Sequence, residues 1–237
     1  MNLNELINLL KNQFYEINGK KVELQIETYK NFLQEKNKIQ NLTRLDKDDE
    51  IYEKYFYESI INFKNELFNK KNIKVLDIGS GSGIPGIVLK ILFPEIDLYI
   101  VESNKKKVLF LNELIKKLNL KKTYIFNERC EYFIKSKRDF FDLITCRAVA
   151  ELRILLELSF PGLKKLGKCF FLKSTNYLQE IENSKLICEK LNISSLPTID
   201  KIEYNKKLFI SLTYIKQSQT DTIYPRSWKE ILNNDKN

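Results

Sequence analysis

Between residues 75 and 86 the chain reads VLDIGSGSGIPG, placing four of its seven glycines within eight positions. Glycine loses the most backbone entropy on folding, so such a cluster belongs where backbone must approach a ligand closely. Two binding patterns overlap in it. Gly81, Gly83 and Gly86 spell GxGxxG. The acidic Glu102 follows at the end of the next strand, about 20 residues on, as in loops that seat a dinucleotide pyrophosphate over a helix N-terminus. Shifted back, Asp77, Gly79, Gly81 and Gly83 spell DxGxGxG.

The second pattern is the first motif of class I S-adenosylmethionine-dependent methyltransferases, and charge favours it. A carboxylate at Asp77, at the carboxyl end of a strand, repels a pyrophosphate but suits the sulfonium and ammonium of S-adenosylmethionine. Glu102 serves either cofactor, accepting hydrogen bonds from ribose hydroxyls. A third role for Asp77 is to cap the backbone amides of its own loop. Pro85 fits the first turn of the following helix, where a missing N–H costs nothing. Past the third strand, Cys130 and Glu131 stand where such folds contact adenine, although Cys130 also reads as a plain buried thiol. At the end of the fourth strand, TCRAVAEL carries Arg147, a planar donor suited to cofactor or phosphate. The NPPY-like run of many amine methylases and the Pro-Cys of pyrimidine methylases are absent there.

The chain contains no histidine, which removes Ser-His-Asp and Cys-His nucleophiles and any imidazole base. Its cysteines, Cys130, Cys146, Cys169 and Cys188, have no metal-ligand spacing and read as reduced thiols. The net charge of +9 suggests a nucleic-acid partner, although the Lys, Asn and Ile excess also matches an AT-rich genome. Arginine is scarce: Arg44, Arg129, Arg138, Arg147, Arg153 and Arg226. No window approaches the roughly 18 apolar residues of a membrane span. The polar start lacks a signal peptide's apolar run, and a cytoplasmic protein is expected.

The elements that must position these residues fall into three stretches. Residues 1–70 read as helices: LNELINLLKNQFYEI with Gly19 as its stop, VELQIETYKNFLQEKNK, and a third opening near Asp46. Residues 71–216 alternate strands (IKVLDIG, DLYIVE, KTYIFN, FDLITCR, KCFFLK) with helices, among them 85–93, 104–119, 130–135 and 151–165. The helix at 104–119 carries Val108, Leu111, Ile115 and Leu118 on one stripe. A helix over 177–192 and two runs, TIDKIEY and LFISLTYIK, complete the stretch. This is an α/β fold, a Rossmann-like, mostly parallel sheet with an antiparallel edge hairpin, preceded by N-terminal helices. Residues 217–237 read as a polar, partly loose tail.

NLTRL, LDIGSGSGIPGIVL, VESNKKKVLFL, CRAVAEL, FLKS and the late YPR together resemble the bacterial glucose-inhibited division protein B family, the ribosomal RNA small-subunit methyltransferases G, over roughly residues 30–180. The resemblance implies methyl transfer from S-adenosylmethionine to N7 of a guanine in the 530 loop of 16S rRNA. It implies 16S rRNA or the small ribosomal subunit as partner; a monomer is expected. By motif, cofactor contacts would come from Asp77, Gly79, Gly81, Gly83, Ile84, Glu102, Cys130, Glu131 and Arg147, with Arg147 also positioning the reactants. RNA contacts would come from Arg44, Lys106, Lys107, Lys173 and Arg226. Asn41, Leu42 and Thr43 match the family's NLT. Tyr55 replaces a family histidine, and Ser174 follows Lys173 where the family has glycine. Guanine N7 is an unprotonated lone pair, so the lack of histidine fits. Two alternatives use the same loop. A nicotinamide-dependent oxidoreductase leaves Asp77, Arg147 and the charge unexplained, and a small-molecule methyltransferase differs only in its acceptor.

Overall fold

The structure, a computed structural model, describes residues 1–15 and 17–233. Helix α1 (Leu3–Gln13) starts in a capping box, in which Asn2 accepts from the Glu5 amide and Glu5 accepts from the Asn2 amide. Gly19 does not stop this helix as the sequence suggests. It opens α2 (Gly19–Gln40), because Asn18 caps the Lys21 amide. Asn41, in the left-handed region, ends α2. The third helical stretch is composite: α3 (Asp48–Glu50), a π-helical Ile51–Tyr57, and α4 (Glu58–Ile60).

Strands and helices then alternate: β1 (Lys74–Ile78), α5 (Gly86–Leu92), β2 (Asp97–Val101), α6 (Lys105–Lys117), β3 (Thr123–Phe126), α7 (Cys130–Lys135), β4 (Phe141–Arg147) and α8 (Leu152–Ser159). They continue as β5 (Leu163–Lys173), α9 (Tyr177–Asn183), α10 (Lys185–Lys190), β6 (Thr198–Tyr204), β7 (Lys207–Ile215) and α11 (Trp228–Leu232). The sheet order is β3-β2-β1-β4-β5-β7-β6. Strands β1 to β5 pair in parallel, and β7 runs antiparallel to both neighbours. The order reverses between β1 and β4, where open α/β sheets bind ligands at their carboxyl edge. The hairpin turns through Asn205 and Lys206, both with positive φ, as a two-residue loop between right-twisted strands requires.

Two sequence-based boundaries shift. The helix expected over 151–165 ends at Ser159, where Pro161 and Gly162 close it into a 3₁₀ turn, and Leu163 already belongs to β5. The single helix expected over 177–192 divides at the buried Ser184, whose hydroxyl donates to the Ile181 carbonyl.

The central strands are apolar on both faces, as a sheet covered on two sides demands. Val75 and Leu98 face a core shared with α1, α2, the π-helical stretch, α5 and α6, through Leu6, Tyr29, Phe56, Ile87 and Phe110. Leu76 and Ile78 face a second core with Phe133, Leu155, Tyr214 and Ile231. The N-terminal helices thus share with α5 and α6 the covering of one face of the sheet.

The tail is not loose through residue 233. Arg138 donates to the carbonyls of Thr220, Asp221 and Tyr224, and Arg153 donates to that of Ile231. Arg226 grips the buried Glu157 with Nε at 2.8 Å and Nη2 at 2.6 Å. Residues 234–237 lie outside the described part. Arg226→Ala leaves the Glu157 carboxylate buried without this partner. It is expected to cost about 3 kcal/mol in urea denaturation, whereas an exposed ion pair costs under about 1 kcal/mol.

Candidate functional site

The site is built on a carboxylate that does not face it. Asp77, last but one in β1, is fully buried beneath the glycine loop. Its Oδ2 accepts from the Gly86 amide at 2.8 Å and the Ser80 hydroxyl at 2.5 Å, while Oδ1 is without a partner among the described residues. Burial pushes Asp77 up to about 8, against the lowering pull of those two bonds. The loop-capping role is thus the one its geometry displays. A Cβ on Gly86 would stand 2.6 Å from Oδ2, so only glycine lets α5 start this close to β1.

The outer side of the loop is fixed by the N-terminal helices. Tyr29 donates to the Ser82 carbonyl, and Tyr55 donates to the Ser82 hydroxyl at 2.6 Å. Gly83 has φ +112, and a Cβ there would stand 2.4 Å from the Tyr29 hydroxyl. Tyr55, the departure from the family histidine, therefore braces the loop. Glu102 closes the other side: Oε2 accepts from the Gly81 amide at 3.0 Å and Oε1 from the Asn104 amide at 2.9 Å.

Over the carboxyl edge of β1 and β2 lies a hollow of about 170 Å³, walled by Gly79, Glu102, Cys130, Glu131, Val149 and Trp228. Burial pushes the Cys130 thiol up, so it contributes a neutral wall. Three carboxylates, Glu102, Glu128 and Glu131, line this hollow with one guanidinium, Arg129. Arg129 is already engaged, with Nε 2.7 Å from Glu131 and its guanidinium 4.3 Å from the ring centroid of Trp228. The charge balance is acidic and opposes a pyrophosphate.

Arg147 points elsewhere. Its side chain turns to the π-helical stretch, where Nη2 donates to the Lys54 carbonyl at 3.1 Å and Nη1 to that of Tyr55 at 3.5 Å. It lines a second hollow of about 410 Å³ with Glu58, Asn62, Lys173, Ser174 and Glu180 among others. Burial lowers the Arg147 guanidinium, with Glu58 and Tyr55 opposing the shift.

Of the residues expected to hold cofactor, Gly79, Glu102, Cys130 and Glu131 line the first hollow. Asp77, Gly81, Gly83 and Ile84 shape or brace the loop, and Arg147 stands in the second hollow. The residues expected to bind RNA do not gather. Arg44 and Lys106 are exposed, and Lys107 is half-buried beside Gly81. Lys173 is paired inside the fold with Glu180 at 2.5 Å, and Arg226 is held by Glu157. Sequence reasoning missed Val149 and Trp228. Trp228 is the chain's single tryptophan, a signal hidden by the polar residues around it.

A family model described as rRNA small subunit methyltransferase G matches residues 22–208. The Ribosomal RNA small subunit methyltransferase G of Malacoplasma penetrans is 65% identical over 100% of both chains. That of Mesoplasma florum is 38% identical over 90% of each. Among solved structures, a SAM dependent methyltransferase from Aquifex aeolicus superposes with TM-score 0.52 at 17% identity, covering 74% of this chain and 96% of that one. TYW2 of M. jannaschii, solved with AdoMet, superposes with TM-score 0.51 at 22% identity over 67% and 74%. Those two likenesses concern the fold.

The raised Asp77 group makes stability depend on pH. The native state holds this proton up to about 8, whereas the unfolded chain releases it near 3.8. The native state therefore binds more protons in that window, and stability falls as pH rises through it, by up to ~1.4 kcal/mol per unit. Asp77→Asn is expected to flatten this slope in urea denaturation series run from pH 5 to pH 8.

Proposed function

Because the chain belongs to the rRNA small subunit methyltransferase G family, we propose that it methylates N7 of one guanine in the 530 loop of 16S rRNA. It would use S-adenosylmethionine and act as a monomer in the cytoplasm. The observation that carries the cofactor half of this reading is the acidic hollow at the sheet's switch point. Glu102 and Glu131 suit a cationic cofactor, and neither a nicotinamide dinucleotide nor any pyrophosphate is favoured there. Glu102 would accept from ribose hydroxyls, and Val149, which packs against Gly79 where a side chain would collide with it, would enclose the adenine together with Cys130 and Trp228.

When bound, S-adenosylmethionine would supply a methyl carbon on a sulfonium, which the guanine N7 lone pair would take while the C–S electrons return to sulfur. The purine gains the positive charge that sulfur loses. No proton moves, so a chain with no histidine suffices. What the protein must do is hold the partners in line, exclude water and offset the charge that appears on the base. Arg147 at the end of β4 stands between the sheet edge and the second hollow, suited to orienting the acceptor. In A-form RNA the N7 edge lies in a deep, narrow groove, so the target guanine must be unpaired or splayed out. Exposed lysines and Arg44 support RNA binding with a strong salt dependence.

The test is transfer of labelled methyl from S-adenosylmethionine to small-subunit rRNA lacking the modification, offered naked and as assembled subunits. Label at one 530-loop guanine N7 is expected. Glu102→Gln is expected to raise KM for S-adenosylmethionine roughly 30-fold, the worth of one hydrogen bond to a charged group. Cofactor binding without any RNA label would move the acceptor to another molecule.

A further inference from the structure

Four consecutive residues join the two hollows: Val149 walls the first, while Arg147, Ala148 and Ala150 wall the second. Resting on the methyl transfer proposed above, we infer that the second hollow is the guanine-base site, with Glu58 and Asn62 receiving the donors of the Watson–Crick edge. Arg147 meets O6, and the Glu58 carboxylate balances the charge that grows on the methylated purine.

The argument starts from which polar groups in this hollow are already used. Lys173 and Glu180 form a closed pair at 2.5 Å, and Glu180 Oε2 also accepts from the Leu152 amide at 2.7 Å. Glu58 is different. Its side chain is 10% exposed, and Oε1 meets the half-exposed Lys207 at 2.9 Å. Asn62 is fully buried and donates from Nδ2 to the Phe209 carbonyl at 3.2 Å. Its Oδ1 has no hydrogen-bond partner among the described residues. An unpaired buried acceptor is costly unless something supplies a donor. The third polar group, Arg147, has donors only, and Glu58 is near enough for its charge to act on the guanidinium.

A guanine base offers the complement of this set. Its edge carries one acceptor, O6, flanked by the donors N1–H and N2–H₂. With O6 toward Arg147, N7 lies on the same side of the ring and faces the turn behind which the first hollow sits. The N1 and N2 donors then meet Glu58 and Asn62. Adenine reverses the pattern, turning the N1 lone pair toward a carboxylate, and is disfavoured by like-to-like contact. Leu172 and Phe209 give the ring apolar walls. The hollow of about 410 Å³ holds a nucleobase with room for its ribose.

Charge is the second half of the inference. Methylation leaves the purine cationic and makes N1–H more acidic, so a carboxylate facing N1–H gains strength as the methyl group arrives. That is stabilisation of the transition state over the ground state.

The experiment compares small-subunit RNA carrying guanine or inosine at the methylated position. Inosine keeps N7, O6 and N1–H but lacks the N2 amino group. Single-turnover transfer is measured for the unaltered chain, Glu58→Gln and Asn62→Ala, with S-adenosylmethionine affinity measured in parallel as the check on folding. The unaltered chain should favour guanine roughly 30-fold. That preference should shrink several-fold in Asn62→Ala, whereas Glu58→Gln, which faces the N1–H that both bases keep, should slow transfer to both alike while cofactor affinity holds in each. Equal rates on guanine and inosine, a preference that Asn62→Ala does not alter, or unchanged transfer by Glu58→Gln would overturn the base site and leave the methyltransferase reading standing. Cofactor binding with no transfer to either RNA would overturn both.

Discussion

The loop, the first helix of the sheet domain and the first hollow depend on one buried contact, Asp77 against the amide of Gly86. It joins the end of β1 to the start of α5 without a side chain between them, and Gly86 is what permits the approach. Ser80 donates to the same oxygen, so the loop is pulled down at its first turn and at its exit. With the floor held this way, Gly79 and Glu102 come to line the first hollow. The negative charge facing that hollow comes from Glu102, Glu128 and Glu131, of which Arg129 offsets one.

The remaining elements act as buttresses. Tyr29 of α2 and Tyr55 of the π-helical stretch meet at Ser82, so the N-terminal layer holds the loop from outside. The same stretch offers the carbonyls of Lys54 and Tyr55 to Arg147, and π-helical turns often occur where function needs altered geometry. At the far end, four of the chain's six arginines hold the C-terminal segment: Arg138 and Arg153 reach it from the sheet domain, Arg226 within it grips Glu157, and Arg129 stacks on Trp228. In a chain that uses lysine nearly everywhere else, these positions need a fork of donors, which an ammonium does not provide.

Much of this was legible in the sequence because it is local. β4 and α7 fall where apolar runs place them, and of the stripe Val108, Leu111, Ile115 and Leu118 the first two are buried in α6, Ile115 is half-buried and Leu118 is buried just past the helix end. The glycine spacing marks the loop, and Glu102 is found by its distance from it. Other features depend on long-range contacts. Gly19 reads as a stop until Asn18 is seen capping the next helix. Asp77 reads as a ligand group until its burial is seen. Arg147 is singled out by position, but its direction is set by carbonyls roughly ninety residues away in sequence. Trp228 sits in a polar tail whose anchoring cannot be inferred without knowing that Glu157 lies buried beneath it.

That same tryptophan offers the most direct reading of the central claim, that the acidic hollow receives a cationic adenosyl cofactor. It is the only one in the chain and it walls the hollow, so its fluorescence reports on that place alone. Titration with S-adenosylmethionine should change the emission saturably, and Glu102→Gln should weaken the response. Titration with nicotinamide dinucleotide should leave it unmoved. Saturable binding of the dinucleotide at this tryptophan, with no response to S-adenosylmethionine, would contradict the assignment of the site.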